Sequence, residues 1–277
     1  MIHRRHALAA LLLPLVGTAH AQSDDRVDTA RLNAAIDGPQ RSAANRARDA
    51  YRHPAQTLSF FGIAAQDTVI EISPGGGWYT EILAPYLRER GTLYAAHYPA
   101  DAADPQQRQA RARFEQKLAA DPAVYGRVIV GAEPTDARGF TDIAPAGGAD
   151  AVLTFRNLHN WIEADQLDAN LRAFFAVLKP GGVLGIEEHR AAPGTPLPRV
   201  IATGYVPEDL VIARATAVGF ELAGRSEVNA NPRDTKDHPN GVWSLPPTLR
   251  GGAVDRERFI AIGESDRMTL KFVKPRR

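Results

Sequence analysis

The stretch Thr68-Val-Ile-Glu-Ile-Ser-Pro-Gly-Gly-Gly-Trp-Tyr-Thr80 constrains this chain more than any other. Its opening residues are rich in β-branched side chains, which predicts a short strand over Thr68–Ile72. Gly75, Gly76 and Gly77 follow, and a helical stretch from Trp78 to Arg90 begins directly after them. A strand that turns through glycine into a helix is the opening unit of a parallel α/β sheet. There, helix N–H groups and closely approaching backbone face a ligand.

The chain keeps up the alternation. Further strands are predicted over Thr92–Ala96, Arg127–Val130, Ala151–Phe155, Val183–Glu187, Phe220–Val228 and Met268–Val273, with helices over Pro105–Ala120, Ala164–Leu178 and Pro207–Val218. Strands separated by helices require crossover connections. The expected fold class is therefore α/β: a doubly wound, mostly parallel, seven-stranded sheet of Rossmann-like type. Ahead of it, residues 22–57 read as two helices broken at Gly38-Pro39, the second ended by His53-Pro54 because a residue before proline leaves helical geometry. Residues 58–277 form the α/β domain, entered through an apolar linker, Leu58–Ile63. Asn229–Gly263 is too long for an ordinary connection and reads as a folded cap inserted before the last strand.

The first residues bear on compartment. Arg4 and Arg5 form a short basic region, Ala7–Val16 an apolar one, and Ala19-His20-Ala21 offers small residues where a signal peptidase reads. Residues 1–21 are expected to be a signal peptide cleaved after Ala21, which places the mature protein in the periplasm or outside the cell. The apolar run falls short of the roughly 20 residues a membrane span needs, and no later run is longer, so no span is predicted. Of the 33 basic residues, two lie in this segment and none of the 32 acids does, so the remaining 256 residues carry one net negative charge. Bulk charge thus gives no case for nucleic acid as a partner. Cysteine is absent, which excludes disulfides, thiolate nucleophiles and cysteine-based metal sites.

Two more motifs follow the glycine turn in order. Asp150-Ala-Val-Leu-Thr-Phe155 leads into Asn157-Leu-His-Asn-Trp161, and Leu178-Lys-Pro-Gly-Gly-Val183 is a helix stop before a strand. Together with the glycine turn, they resemble the class I S-adenosylmethionine-dependent methyltransferase superfamily over residues 45–228 and 268–273. The tail is similar to a subgroup of exported bacterial proteins of that superfamily, through Asn229-Ala-Asn-Pro-Arg-Asp-Thr-Lys-Asp-His238, Trp243-Ser-Leu-Pro-Pro-Thr-Leu249 and Gly263-Glu-Ser-Asp-Arg-Met268. The resemblance implies S-adenosylmethionine as cofactor and a small-molecule methyl acceptor. It implies that Glu71, Ser73, Gly75 and Gly77 hold the methionine part, His97 takes the ribose position, Glu133 or Asp136 meets the adenine edge, and Asn157 faces the reacting methyl. Ser73 stands where the superfamily has its first glycine, and His97 where it has an acid. An imidazole cannot accept from two vicinal hydroxyls as a carboxylate does.

Strand ends in such a sheet open into one crevice, so His159 and Glu187-Glu188-His189-Arg190 are expected to converge. His159 or His189 could serve as a general base with a glutamate orienting it, while Asn157 and Asn160 fix the nucleophile. His159, Glu187, Glu188 and His189, joined by Asp237 and His238, could instead hold a divalent metal for a hydrolase or lyase. A hydrogen-bonded rim without chemistry is a third reading, and a ligand-binding protein that keeps the fold without transfer is a fourth. Trp78 and Tyr79 would cover a ligand or pack on the N-terminal helices. Trp161 would stack on a substrate or fill the core. Lys236-Asp237-His238-Pro239 and Arg267 are expected to anchor the cap by ion pairs.

Overall fold

The computed structural model describes residues 26–134 and 139–276. The expected signal peptide, residues 1–21, and Asp136 lie outside the described residues. Seven strands form one sheet: β1 (Thr68–Ile72), β2 (Thr92–His97), β3 (Ile129–Ala132), β4 (Ala149–Phe155), β5 (Leu178–His189), β6 (Glu221–Ser226) and β7 (Arg267–Val273). Their order is β3-β2-β1-β4-β5-β7-β6. β1 pairs in parallel with both β2 and β4, and β7 runs antiparallel between β5 and β6. The chain moves outward from β1 to β3 and then crosses back to β4. The strand order therefore reverses between β1 and β4, and a crevice opens at their C-terminal ends.

Both faces of the sheet are covered, as period-2 side-chain placement requires. Val69, Leu93, Ala151 and Leu153 pack against Phe61, Ile82 and Leu83 on one side. Ile70, Ile72, Val152 and Leu184 pack against Leu171 and Phe174 on the other. Each such side chain contributes about 1.5–3 kcal/mol when fully buried. Trp161 belongs to the second cluster, edge-on to Phe174 at 5.5 Å, so it fills the core rather than facing a substrate.

Several element boundaries differ from expectation. The N-terminal region holds four short helices, Thr29–Ile36, Ala43–Arg46, Asp49–Arg52 and Pro54–Phe61. The last of these replaces the expected linker. His53 satisfies the restriction before proline by going left-handed (φ 39°), which lets it close one helix while Pro54 opens the next. The helix after the glycine turn starts at Thr80, not Trp78, because the turn itself runs on: Gly77 N–H donates to Pro74 C=O at 2.9 Å. The expected helix over 164–178 is observed as Leu167–Val177, and a further short helix, Leu158–Glu163, precedes it, divided from it at Asp165 with φ 55°. The cap is folded around a short 3-10 turn, Gly241–Ser244, and a helix, Arg256–Ile262. Its central fastening is buried Asp234, which accepts from Tyr205 Oη (2.8 Å), His238 Nε2 (2.9 Å) and Asp266 N (2.8 Å). Of the expected anchors, Lys236 reaches Asp266 at 2.8 Å while Asp237 is exposed.

Candidate active site

The glycine turn stands open. Gly75 has φ 58°, and a Cβ added at Gly75 or Gly76 would meet no atom within 4 Å. Lys117, from the helix Pro105–Ala120, braces the turn from behind: its ammonium donates to Gly76 C=O at 2.7 Å and to Glu81 at 2.7 Å. At the end of β1, Glu71 is buried and accepts from Thr80 Oγ1 at 2.6 Å, joining the strand to the following helix. Burial pushes its carboxyl up to about 7, against the Thr80 bond and the Lys117 charge. Ser73 is left-handed (φ 47°), and its hydroxyl donates to Glu133.

His97, at the end of β2, is 1% exposed. Its Nδ1 accepts from the Tyr98 N–H at 2.8 Å, so the proton sits on Nε2, which is buried without a hydrogen-bond partner. Burial lowers this imidazole to about 4, so it is neutral and presents a donor. Glu133 N–H donates to His97 C=O at 2.8 Å, and the Glu133 side chain reaches over the end of β2 to Ser73. Burial raises that carboxyl to about 7 despite the Ser73 bond. Asn157 lies on the other flank, donating to Ile72 C=O at 3.2 Å and Thr154 Oγ1 at 3.1 Å, and so ties β4 to β1 just before the glycine turn.

His159 and His189 do come together, with ring centroids 5.4 Å apart. They border a cavity of about 250 Å³ between the strand ends and the cap. Glu187 and Glu188 part company because successive strand residues face opposite sides of the sheet. Glu188 accepts from Leu158 N (2.6 Å), His189 N (2.8 Å) and His159 Nδ1 (3.1 Å). Glu187 meets Arg156 at 2.8 Å, Arg267 at 3.0 Å and Tyr79 Oη at 3.1 Å. Burial raises the Glu187 carboxyl, but the Arg267, Arg156 and Arg52 charges outweigh it and leave the net shift downward. His189 donates or accepts at Ser265 Oγ (2.5 Å), and burial with the neighbouring cations holds it well below its ordinary value.

Of the expected metal set, His159, Glu188 and His189 bring donor atoms within 4.8 Å of one another. Glu187 is committed to arginines, and His238 is committed to Asp234. Trp78 and Tyr79 turn inward: Trp78 Nε1 donates to Asn45 C=O at 3.0 Å, and Tyr79 stacks on Phe155 with centroids 3.6 Å apart. The cavity's cationic wall, Arg48, Arg52 and Arg156, escaped the sequence reading. Arg48 caps, and Arg52 ends, a short helix in a segment that reads as merely polar, and Arg156 is placed by a left-handed φ of 61°.

The strand order, the reversed final strand and the glycine turn define the Rossmann-like methyltransferase fold. No protein-family model matches the chain, and no curated protein matches it in sequence. Among solved structures, it is similar to a SAM dependent methyltransferase from Aquifex aeolicus, with 18% identity, a TM-score of 0.50, and 73% of this chain and 93% of that one covered. It is also similar to the (4+2)-cyclase SpnF, with 17% identity, a TM-score of 0.54, and 86% of this chain and 85% of that one covered. These likenesses show the fold. That one neighbour is named a cyclase and the other a methyltransferase means the reaction must be argued from the site.

Proposed function

We propose that the protein is an exported S-adenosylmethionine-dependent methyltransferase acting on a small molecule, of the exported subgroup its tail resembles. The observation that carries the reading is the open backbone at Gly75 and Gly76, at the point where the strand order reverses. Backbone left free of Cβ atoms in a crevice is what close approach of a cofactor needs. The fit extends to the ribose with one change of residue. His97 offers a donor, whereas Glu133 places a carboxyl over the same strand end and can accept from two hydroxyls once ionised.

When bound, the cofactor supplies a methyl group on a sulfonium, and the sulfur keeps the electron pair of the broken bond. The acceptor's oxygen or nitrogen forms the new bond to carbon and releases a proton. His159 takes that proton: its Nδ1–H is held by Glu188, which leaves Nε2 as the acceptor. His189 is too weak a base for this part, given its depressed value. Asn157, at the start of the helix Leu158–Glu163 that carries His159, ties it to the end of β1, so positioning supplies most of the catalysis.

Isothermal titration of the mature chain with S-adenosylmethionine and S-adenosylhomocysteine tests the reading. Saturable heat is expected, and no heat up to millimolar concentration would refute it. Export is tested by N-terminal sequencing of protein recovered from the periplasm, which is expected to begin at Gln22. The neutral, buried His97 favours a second reading, a periplasmic ligand-binding protein of this fold without transfer. On that reading His97→Asp strengthens cofactor binding; on the methyltransferase reading it buries an unpaired charge and weakens it.

A further inference from the structure

The cavity beneath the cap has a charge imbalance that the transfer chemistry alone does not explain. Among the described residues, three guanidinium groups line it, from Arg48, Arg52 and Arg156, against one lining carboxylate, Glu264, while Arg267 and Glu187 pair with each other at 3.0 Å outside the lining. Glu188 is not part of this lining: it is buried behind His159, its oxygens accepting from Leu158 N, His189 N and His159 Nδ1. Arg48 shows the shortage directly. Its Nε reaches Glu264 at 2.6 Å, but its Nη2 is buried without a hydrogen-bond partner, and an unsatisfied buried donor is unfavourable. Arg52, stacked on Trp78 at 4.7 Å, is lowered to about 9 by burial and then by the charge of Arg156. Arg156 holds its place in a left-handed conformation (φ 61°) that is strained for a non-glycine residue.

The lining also holds the cap's Val242, Trp243, Pro246 and Pro247, with Trp243 set edge-on to His159 at 6.0 Å and stacked on Arg250. The same cavity thus offers positive charge and a hydrocarbon surface. A cation fits poorly in the same space. His159, Glu188 and His189 could reach a metal, but the surplus of positive charge repels one, and Glu188 would have to give up donors it already holds.

We infer that this cavity seats the methyl acceptor, and that the acceptor is a small organic carboxylate, its head on Arg48, Arg52 and Arg156 and its apolar body against Trp243. A carboxylate is favoured over a phosphate because planar guanidinium forks match it in pairs and because the volume, about 250 Å³, is shared with an apolar wall. The assignment of this ligand as acceptor rests on the methyltransferase reading; the anion site itself does not.

The test is equilibrium titration of the mature protein with benzoate, benzyl alcohol, inorganic phosphate and Zn²⁺, followed by calorimetry and by tryptophan fluorescence. Benzoate is expected to bind and to change the fluorescence, and benzyl alcohol to bind at least tenfold more weakly. Arg156→Gln is expected to abolish binding. Because that change also strips Glu187 of a partner, Arg48→Gln, at the cavity rim, is the second variant: it should weaken benzoate at least tenfold and leave S-adenosylhomocysteine binding unchanged. Equal binding of benzoate and benzyl alcohol, tighter binding of phosphate, or stoichiometric Zn²⁺ binding lost in His159→Ala would each overturn the inference. S-adenosylhomocysteine binding without benzoate binding would overturn it and leave the methyltransferase reading standing. Benzoate binding without S-adenosylhomocysteine binding would do the reverse.

Discussion

Glu264 is the carboxylate on which the two ends of the fold are fastened, and its removal has a calculable effect. It accepts from Arg48 Nε at 2.6 Å, Arg52 Nε at 3.2 Å and Arg267 Nη1 at 3.1 Å, and it is 4% exposed. Burial alone would raise its carboxyl, but the Arg52 and Arg267 charges and the Arg48 bond outweigh that and bring it from 4.5 to about 2. A folded value below the unfolded one means stability that is present above pH 4.5 and lost as pH falls towards 2. The difference corresponds to about 3 kcal/mol at pH 7 and about 1.4 kcal/mol at pH 3. Urea unfolding of the mature wild type and Glu264→Gln, run from pH 7 to pH 3, isolates this group from the other acids, because they are common to both proteins. The gap in unfolding free energy should be at least about 3 kcal/mol at pH 7 and shrink by about 2 kcal/mol by pH 3, with similar denaturant slopes. A gap below about 1 kcal/mol at pH 7, or one that does not change with pH, would refute the electrostatic account.

Other outcomes follow from the same geometry. Gly76→Val adds a side chain into open space, so the melting temperature should hold while S-adenosylhomocysteine binding falls at least tenfold; a matching loss of stability would show the turn to be structural instead. On the proposed reading Glu133, raised to about 7, has both oxygens able to accept from the two ribose hydroxyls when ionised, so cofactor affinity should climb from pH 6 to pH 8 and level off above, and calorimetry should find that dependence diminished in Glu133→Gln. Asn229 donates to Thr57 Oγ1 at 2.9 Å and Thr269 Oγ1 at 3.0 Å; Asn229→Ala should cost about 1–3 kcal/mol in urea unfolding, and an unchanged midpoint would contradict it. Gly241→Ala would drive a Cβ to 2.2 Å from Thr203 C=O at a φ of 54°, and circular dichroism should show a melting point several degrees lower.

The sheet was legible because its strands announce themselves locally. Thr68–Ile72 is β-branched and bounded by glycine, and its predicted limits match the strand observed. The N-terminal helices were less so: a proline that stops a helix in one conformation starts another when His53 turns left-handed, and sequence does not show which. The candidate site divides in the same way. Gly75, Gly77 and Glu71 are recognisable because backbone conformation demands them in order along the chain. The separation of Glu187 from Glu188 was also within reach, since adjacent strand residues must face opposite ways. The basic wall was not. Arg48 and Arg52 derive their meaning from Glu264, more than 200 residues away, and no local periodicity reports such a partner.

That span has a consequence for how the molecule comes into being. Ribosomes deliver Arg48 and Arg52 early, yet the carboxylate that neutralises them arrives only at residue 264, with separations of 216 and 212 residues. β7, which fills the slot between β5 and β6, arrives later still. Until then β5 has an unpaired edge, and Arg48 and Arg52 lack the carboxylate they bond to, so a chain short of these residues carries both an aggregation-prone edge and a ligand site that cannot close. Pocket closure thus waits on Glu264 and β7.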